Sequence, residues 1–335
     1  RKLKLLIHNE GVIDDRKGIN VPNKKLLLPH LSEKDHRSIQ FAVDTGCEFI
    51  ALSFTRDRED VENLKKVAPK FKGAIISKIE NFEGVKNFQE ILEISDGIMV
   101  ARGDLGVEIE PERVPLLQKW MINLCNNAGK TVITATDILE SMINDPIPSR
   151  SEVSDVANAI LDGTDCIMTS GETAIGKYPV QTIQMLDKIA SEVEKSVESR
   201  VEASSFINIS ESVSHSIQRI ARDMPLNKIV TLTRSGYTAR MISRLKPTQE
   251  IIAVTPNPIV RKQLEIAYGV TPIFQNYLHE DERIISVAKK LYSLRLINDE
   301  EIVLFTAASR TTEEHYSNII EIHKMKELLK FIESN

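Results

Sequence analysis

The chain has 335 residues, 41% of them apolar and 27% charged, with a net charge of −5, so we expect two domains, each with its own core. This acidic balance gives no broad positive field for nucleic acid, and no apolar run is as long as a membrane span, so neither partner is expected. Three cysteines without metal-ligand spacing predict reduced thiols in a cytoplasmic protein.

Residues 1–22 consist of short extended pieces separated by a turn. The alternating stretch KLKLLIH ends at Asn9-Glu10-Gly11, and a second extended piece, RKGINVPNKKLLLP, follows it. We expect residues 1–22 to be the tail of a small inserted β-domain. A helical pattern over 33–45 begins directly after Ser32.

Five apolar segments then recur, each followed by a helical segment. The predicted strands are 49–54, 74–80, 97–104, 131–136 and 166–171. The predicted helices are 57–68, 84–94, 111–128, 151–162 and 180–196, with N-caps at Asp57 and Ser151 and stops at Gly129 and Gly163. A repeat of this length is one βα unit, so the segment predicts a parallel sheet.

Every predicted strand of this segment ends in polar side chains. In a barrel the carboxyl ends of all strands converge on one mouth, whereas an open sheet binds ligands at one switch point. Five polar strand ends in succession therefore favour a TIM-type (β/α)8 barrel, of which five βα units are present. Because such a barrel has about eight units, we expect about three more ahead of them. We therefore expect the chain to be a fragment of a longer protein or one half of a split enzyme.

The pattern restarts after residue 197. An amphipathic helix, SESVSHSIQRIARDM, precedes the strands KIVTLT, EIIAVTP and TPIFQ, and EIVLFTA and NIIEIHKM form a final pair. We therefore predict three parts. They are the β-domain tail at 1–22, the second part of a barrel at 23–197 and a C-terminal α/β domain at 198–335.

The barrel strand ends carry residues suited to metal-assisted chemistry. Glu80 and Asp104 end neighbouring strands and offer the oxygen ligands that Mg²⁺ prefers. Lys78 shares a strand face with Glu80 and supplies a cation for developing negative charge, and Thr136 adds a hydroxyl. The set predicts an anionic, phosphorylated substrate. Three other interpretations stay open: a surface ion pair of Lys78 with Glu80, an ordinary turn at GDLG and a helix cap at Thr136.

Two long strings in this region resemble the pyruvate kinase family. They are IISKIENFEGVKNFQEILEISDGIMVARGDLGVEI and NAGKTVITATDILESMINDPIPSRSEVSDVANAILDGTDCIMTSGETAIGKYP, and the similarity extends over essentially the whole chain. The resemblance implies phosphoryl transfer from phosphoenolpyruvate to ADP, giving pyruvate and ATP in the last step of glycolysis. It also implies an allosteric, cytoplasmic homotetramer that uses Mg²⁺ (or Mn²⁺) and K⁺.

The resemblance assigns roles to individual strand-end residues. Lys78 would stabilise the transferring phosphoryl group and the enolate, and Glu80 and Asp104 would hold the divalent ion. The N–H groups of Gly103 and Asp104 would bind the substrate carboxylate together with Thr136.

Further roles are implied for residues around this centre. Thr136 would pass a proton to the enolate carbon, with Ser170 and Glu172 behind it in a hydrogen-bonded relay. Ser53 would lie near the substrate and the monovalent ion. Lys17 would reach the nucleotide phosphates from the inserted domain.

The last domain resembles the family's effector and assembly domain. Its loop TLTRSGYTAR implies a phosphorylated small-molecule effector, contacted by Thr233, Arg234, Ser235, Gly236, Tyr237 and Thr238. A simple N-cap at Ser235 is the alternative. The place of the family's glycine-rich loop reads TAASRTTEE, which argues against fructose bisphosphate. Arg150 would lie at a subunit interface.

The chain also departs from the family. This sequence has no counterpart of about three barrel strands with which the family begins, nor of most of the family's inserted domain. We therefore expect no activity from this chain alone. Asp137 stands where the family usually has glutamine, and PSRSEVSD replaces PTRAE, which suggests a divergent archaeal or bacterial branch. Two other functions are considered: a non-catalytic, effector-binding remnant and a Mg²⁺-dependent enolpyruvate lyase or aldolase barrel. A lyase or aldolase barrel would need neither the two motifs KIEN and ATDILESM together nor a second α/β domain.

Overall fold

Two five-stranded sheets organise the part of the chain that the structure describes. The computed structural model describes residues 6, 8–12, 29–197, 208–276, 283–308 and 317–334. Most of the predicted β-domain tail, including Lys17, lies outside these described residues. Within them, no helix combines the length and the apolar character that crossing a membrane requires.

The first sheet is parallel throughout, and its strands follow the order of the chain. They are β1 (Phe49–Leu52), β2 (Ala74–Ile79), β3 (Gly97–Ala101), β4 (Thr131–Ala135) and β5 (Cys166–Met168). An unbroken sequential order is that of a barrel wall, because a doubly wound sheet reverses its order at a switch point. The prediction of five successive βα units from a barrel is confirmed.

Helices alternate with these strands. They are α1 (Glu33–Thr45), α2 (Arg58–Val67), α3 (Phe82–Lys86), α4 (Phe88–Ile94), α5 (Arg102–Glu108), α6 (Val114–Ala128), α7 (Arg150–Asp162), α8 (Gly171–Ala174) and α9 (Pro179–Val193). Short 3₁₀ helices lie at Pro111–Arg113, Glu140–Ile143 and Glu194–Ser196. α2 is capped by Asp57, and α6 and α7 end at the left-handed glycines Gly129 and Gly163, as predicted.

Two boundary predictions were wrong. The N-cap of α7 is Ser149 rather than Ser151, because Ser149 forms a capping box with Glu152, three residues further on. All five strands also end earlier than predicted. β3 stops at Ala101 because α5 begins at the next residue, and β4 stops before Thr136, whose φ of +68° is incompatible with an extended strand.

The larger core lies between this sheet and its helices. Alternate strand residues such as Ile79, Ile98 and Val132 pack there against α2, α4 and α6. Trp120 of α6 lies on the ring of Phe88, with ring centroids 5.1 Å apart, and stays 39% exposed. A smaller cluster occupies the other face of the sheet: Ile76, Met99, Ile133 and Ala135.

The second sheet has the order β10-β9-β6-β7-β8 and is parallel except for β10. Its strands are β6 (Lys228–Leu232), β7 (Glu250–Thr255), β8 (Val270–Phe274), β9 (Ile302–Ala307) and β10 (Ile319–Lys324). The helices are α10 (Ile209–Asp223), α11 (Tyr237–Ser243), α12 (Pro258–Gln263), α13 (Arg283–Ser293) and α14 (Met325–Ser334), with a 3₁₀ helix at Leu264–Ile266. The strand order reverses between β9 and β6, so this half is doubly wound.

The two halves meet beneath the first sheet, at the amino ends of its strands. Lys246 binds Asp165, just before β5, with Nζ and Oδ1 2.6 Å apart. Arg244 donates to the carbonyl of Asn127, ahead of β4, at 2.6 Å. The polar carboxyl ends of the strands therefore lie at the opposite end of the sheet from this contact.

Candidate active site

Lys78 and Glu80 form a closely bonded pair at the carboxyl end of β2. The Lys78 ammonium lies 2.8 Å from Glu80 Oε1 and 3.2 Å from the hydroxyl of Ser53 at the end of β1. The Glu80 side chain is only 1% exposed, and that of Lys78 is 22% exposed. The interpretation of this pair as a surface ion pair is therefore wrong. The strand places a fixed cation and a buried carboxylate together at the mouth of the sheet.

A tight turn after β1 supplies the second partner of Glu80. The N–H of Phe54 donates to Glu80 Oε2 at 2.6 Å, and Phe54 has a left-handed φ of +50°. His30 Nε2 lies 3.0 Å from the carbonyl oxygen of Ser53 and 3.2 Å from that of Phe54, so one imidazole N–H bridges both. Sequence analysis missed this role of His30, because no local spacing links it to a turn twenty-three residues away in the chain.

The same imidazole approaches a buried carboxylate of α2. Asp60 Oδ2 lies 3.7 Å from His30 Nε2, and Arg56 donates to the two carboxylate oxygens through Nε and Nη2. Burial opposes ionisation, but the hydrogen bonds from Arg56 outweigh it and hold the pKa of Asp60 below its usual value. The turn that carries Ser53 is thus supported by charged groups outside the sheet.

The next strand ends bring Gly103 and Thr136 together. The Gly103 N–H, in the first turn of α5, donates to Thr136 Oγ1 at 2.7 Å, and that hydroxyl donates to the Ala135 carbonyl at 2.6 Å. A Cβ on Gly103 would lie 3.4 Å from Thr136 Oγ1, which is an ordinary van der Waals contact, so the space at this position does not itself require glycine. The next described helix follows Leu139 and has no side-chain cap, so the interpretation of Thr136 as a helix cap is wrong.

Ser170 and Glu172 stand at the end of β5. The buried Glu172 carboxylate accepts the N–H of Ser170 at 2.7 Å and the N–H of Leu139 at 3.1 Å. It therefore joins the loop after β5 to the loop after β4. Since the hydrogen bonds of Thr136 go to Gly103 and Ala135, the proton relay through Ser170 and Glu172 stays a prediction.

The carboxylates fit a magnesium ion that is completed by water and substrate. In the part of the chain that the structure describes, no three His, Cys, Asp or Glu side chains gather into a metal site. Glu80 and Asp104 follow adjacent strands, β2 and β3, in which Ile79 pairs with Val100. Mg²⁺ commonly uses one or two carboxylates and takes its other ligands from water and substrate phosphate. Each Glu80 oxygen has a lone pair beyond its present bond.

The predicted effector loop follows β6, at the point where the strand order of the second sheet reverses. Ligands of doubly wound sheets bind outside such switch points. Gly236, with a φ of +76°, is the N-cap residue of α11, so the alternative of an N-cap at Ser235 is wrong. Its N–H donates to Thr233 Oγ1 at 3.0 Å, which folds the loop back on itself.

The side chains of this loop divide into two groups. Thr233 and Thr238 are buried, and the Thr238 hydroxyl lies 2.9 Å from that of Ser317. Arg234, Ser235 and Tyr237 are exposed. The exposed group is therefore the part of the loop that could contact a ligand.

In the first half of the chain, the predicted interface residue Arg150 is exposed, and it is the first residue of α7.

The first half is a sequential parallel sheet whose strand ends carry a lysine, carboxylates and a threonine, and it is joined to a doubly wound half. Together they define a two-domain α/β protein of the barrel class. The chain belongs to the pyruvate kinase family. The family model for the pyruvate kinase barrel domain matches residues 1–183, and the model for the pyruvate kinase alpha/beta domain matches residues 211–323.

Relatives with the name pyruvate kinase support this assignment. The protein of Bacillus licheniformis is 42% identical over an alignment of 332 positions, which covers 96% of this chain and 57% of the relative. That of Methanocaldococcus jannaschii is 42% identical over 295 residues, covering 87% of this chain and 66% of the relative. That of Clostridium acetobutylicum is 39% identical over 325 residues, covering 94% and 69%. The chain thus spans little more than half the length of the Bacillus protein.

Proposed function

We propose that this chain is part of a pyruvate kinase, which transfers the phosphoryl group of phosphoenolpyruvate to ADP and yields pyruvate and ATP. The observation that carries the proposal is the Lys78–Glu80 pair, held at 2.8 Å at a strand end with Glu80 almost fully buried. Such a preorganised cation is worth most where negative charge develops in the transition state. The family assignment is to pyruvate kinase rather than to an enolpyruvate lyase or aldolase.

The residues around this pair have different proposed roles in the reaction. Lys78 stabilises charge on the transferring phosphoryl group and on the enolate oxygen that remains. Glu80 and Asp104 hold Mg²⁺ (or Mn²⁺), which when bound neutralises negative charge on substrate oxygens. The N–H groups of Gly103 and Asp104, with Thr136, bind the substrate carboxylate.

The second half of the reaction needs a proton at the enolate carbon. Thr136 delivers it, and Ser170 and Glu172 return a proton to Thr136. Lys17 contacts the nucleotide phosphates, and Ser53 lies near the substrate and a K⁺ site.

Lys78→Met tests the proposal. ATP formation from phosphoenolpyruvate, ADP and Mg²⁺ is measured with the protein as purified from its source. We expect turnover to fall by about 100-fold or more, because the substitution removes the cation that faces the developing charge. Lys70→Met, at an exposed turn between α2 and β2, is the matched control and should leave turnover unchanged.

Unchanged turnover in Lys78→Met contradicts the proposal. A wild-type protein that is folded but forms no ATP favours the second candidate, an effector-binding remnant. The observation behind that candidate is the loop at residues 233–238, which lies at the switch point of the second sheet.

The C-terminal domain is proposed to bind a phosphorylated small molecule and to regulate a cytoplasmic homotetramer. The support is the position of the loop Thr233–Thr238 at the switch point, with exposed Arg234 and Ser235. Titration calorimetry with sugar monophosphates, nucleoside monophosphates and fructose bisphosphate tests binding, and we expect the last to bind weakest. Sedimentation of Arg150→Glu tests the interface, where a tetramer should dissociate.

A further inference from the structure

We infer that Arg102 is a positioning residue that holds Thr136 in place by clamping the backbone turn on which Thr136 lies. The inference rests on the proposed function, in which Thr136 binds the substrate carboxylate and delivers a proton. Neither sequence analysis nor the family match assigns a role to Arg102.

The Arg102 guanidinium is buried, with 8% of its side chain exposed, and grips two successive carbonyls. Its Nη2 donates to the carbonyl of Thr136 at 2.8 Å and to that of Asp137 at 2.7 Å, and Nε donates to Thr136 again at 3.2 Å. A planar fork of donors can bind neighbouring acceptors in this way, whereas a lysine ammonium cannot match the geometry.

The clamped turn is one that its residues do not favour on their own. Thr136 and Asp137 have φ values of +68° and +52°, so two successive residues with a Cβ are left-handed. For the β-branched Thr136 this conformation is especially unfavourable. A turn of this kind persists only where its surroundings hold it, and the carbonyls that Arg102 binds belong to these two residues.

The other side of the guanidinium is tied to the helices outside the sheet. Nη1 donates to Asp155 Oδ2 of α7 at 2.6 Å and to Gln118 Oε1 of α6 at 3.3 Å. Arg102 therefore connects the turn after β4 to two helices. Its neighbour in sequence, Gly103, donates to the Thr136 hydroxyl at 2.7 Å, so adjacent residues fix the backbone and the side chain of Thr136.

A groove between α6 and α7 makes the clamp accessible to a chemical test. It has a volume of about 640 Å³ and is lined by Arg102, Gln118, Asp137 and Asp155, among others. A free guanidinium ion is small enough to enter it. Truncation of Arg102 should therefore be repairable from solution.

The first readout does not depend on activity. Threonine methyl groups are labelled, and the Thr136 resonance is assigned by its loss in Thr136→Val. In Arg102→Ala we expect the Thr136 methyl to shift or broaden, while threonines of the second sheet such as Thr231 keep their resonances. Millimolar guanidinium should restore the wild-type position. Arg113→Ala, which removes an exposed arginine, is the matched control.

The second readout is exchange of the pyruvate methyl protons with D₂O in the presence of Mg²⁺. We expect Arg102→Ala to slow it by about 10- to 100-fold, because a small misplacement of a reacting group is costly. In a Thr136→Val background the same substitution should slow exchange little further, since the effects of residues that act as a unit do not multiply. If Arg102→Ala does not fold, Arg102→Lys is used instead, because it keeps a positive charge for Asp155 but lacks the planar set of guanidinium donors. We expect Arg102→Lys to slow the exchange as well.

The possible failures are distinct. An unchanged Thr136 resonance in the Arg102 variants, or effects that multiply in the double variant, overturns the positioning role. A wild-type protein that neither exchanges pyruvate protons nor forms ATP overturns the proposed function, while the methyl spectrum still tests the clamp.

Discussion

At the residue scale, the site depends on side chains whose partners are distant in sequence. Glu80 forms an ion pair with Lys78 of its own strand and also accepts the N–H of Phe54. Glu172 accepts the N–H of Leu139. Each carboxylate thus joins the loops after two neighbouring strands. Buried carboxyl groups require such partners, because a polar group without a hydrogen-bond partner is very unfavourable away from water.

The cysteines allow a prediction at this scale. Cys125 of α6 is fully buried, and burial raises the pKa of its thiol well above the usual value. Because the thiolate is the reactive form, we expect Cys125 to resist an aromatic disulfide reagent at pH 8 until the protein unfolds. Cys47 is partly exposed and should react in the native protein. Peptide mapping of the labelled protein, with and without urea, distinguishes the two. Native labelling of Cys125 at the rate of Cys47 would contradict the described packing of α6.

At the element scale, the polar strand ends were the informative signal in the sequence, and the exact ends of the strands were not. The alternation that joins Ile76, Lys78 and Glu80 correctly placed the last two on one face. No local pattern shows that Phe54 and Thr136 are left-handed, since neither is glycine and tertiary hydrogen bonds impose the conformation. The cap of α7 was predictable, because Ser149 and Glu152 have the spacing of a capping box and Ser151 has no such partner.

Glu152 provides a prediction for the stability of this element. Its carboxylate accepts the N–H groups of Ser141 and Ser149 and the hydroxyl of Ser141, joining the cap of α7 to the preceding 3₁₀ helix. We expect Glu152→Gln to lower the free energy of unfolding by about 1 kcal/mol at pH 7, as the loss of charged cap bonds does. Urea denaturation monitored by circular dichroism measures it, with Glu90→Gln on the exposed face of α4 as the control.

The same carboxylate makes the effect dependent on pH. Burial opposes ionisation, but these hydrogen bonds outweigh it and hold the pKa of Glu152 below its usual 4.5. A lowered folded-state pKa contributes stability above the usual value, and that contribution is lost as the pH falls through the folded-state value. The difference between wild type and Glu152→Gln should therefore be constant from pH 6 to 8 and shrink below about pH 4.5. A constant difference down to pH 3 would show that the carboxylate is not the source.

At the scale of the whole molecule, a buried ion pair connects the second domain to the amino ends of the strands of the first sheet. The side chains of Lys246 and Asp165 are 2% and 8% exposed, and the ammonium also lies 4.2 Å from the ring centroid of Tyr268. Asp165 Oδ2 accepts the N–H of Val132, the second residue of β4, at 2.9 Å. One carboxylate therefore joins the C-terminal domain to the strand that ends before Thr136.

Breaking this pair on one side should be strongly destabilising. Lys246→Met leaves the Asp165 carboxylate buried without its cation, which typically costs about 3–5 kcal/mol. Scanning calorimetry is expected to show a lower transition temperature, with the two halves unfolding separately. The double variant Lys246→Met with Asp165→Asn removes the unpaired charge and should recover most of the loss. Equal effects of the single and double variants would mean that the pair contributes packing rather than charge compensation.

The position of Trp120 makes the two halves distinguishable by light emission. The chain has a single tryptophan, and it lies on α6 against Phe88, in the first half. The doubly wound half therefore contributes only tyrosine to the intrinsic fluorescence. Excitation at the red edge of the absorption band thus reports on the barrel segment alone, whereas backbone ellipticity reports on both halves. A mixed solution of native and partly unfolded molecules can be resolved into its domain states without attaching a dye.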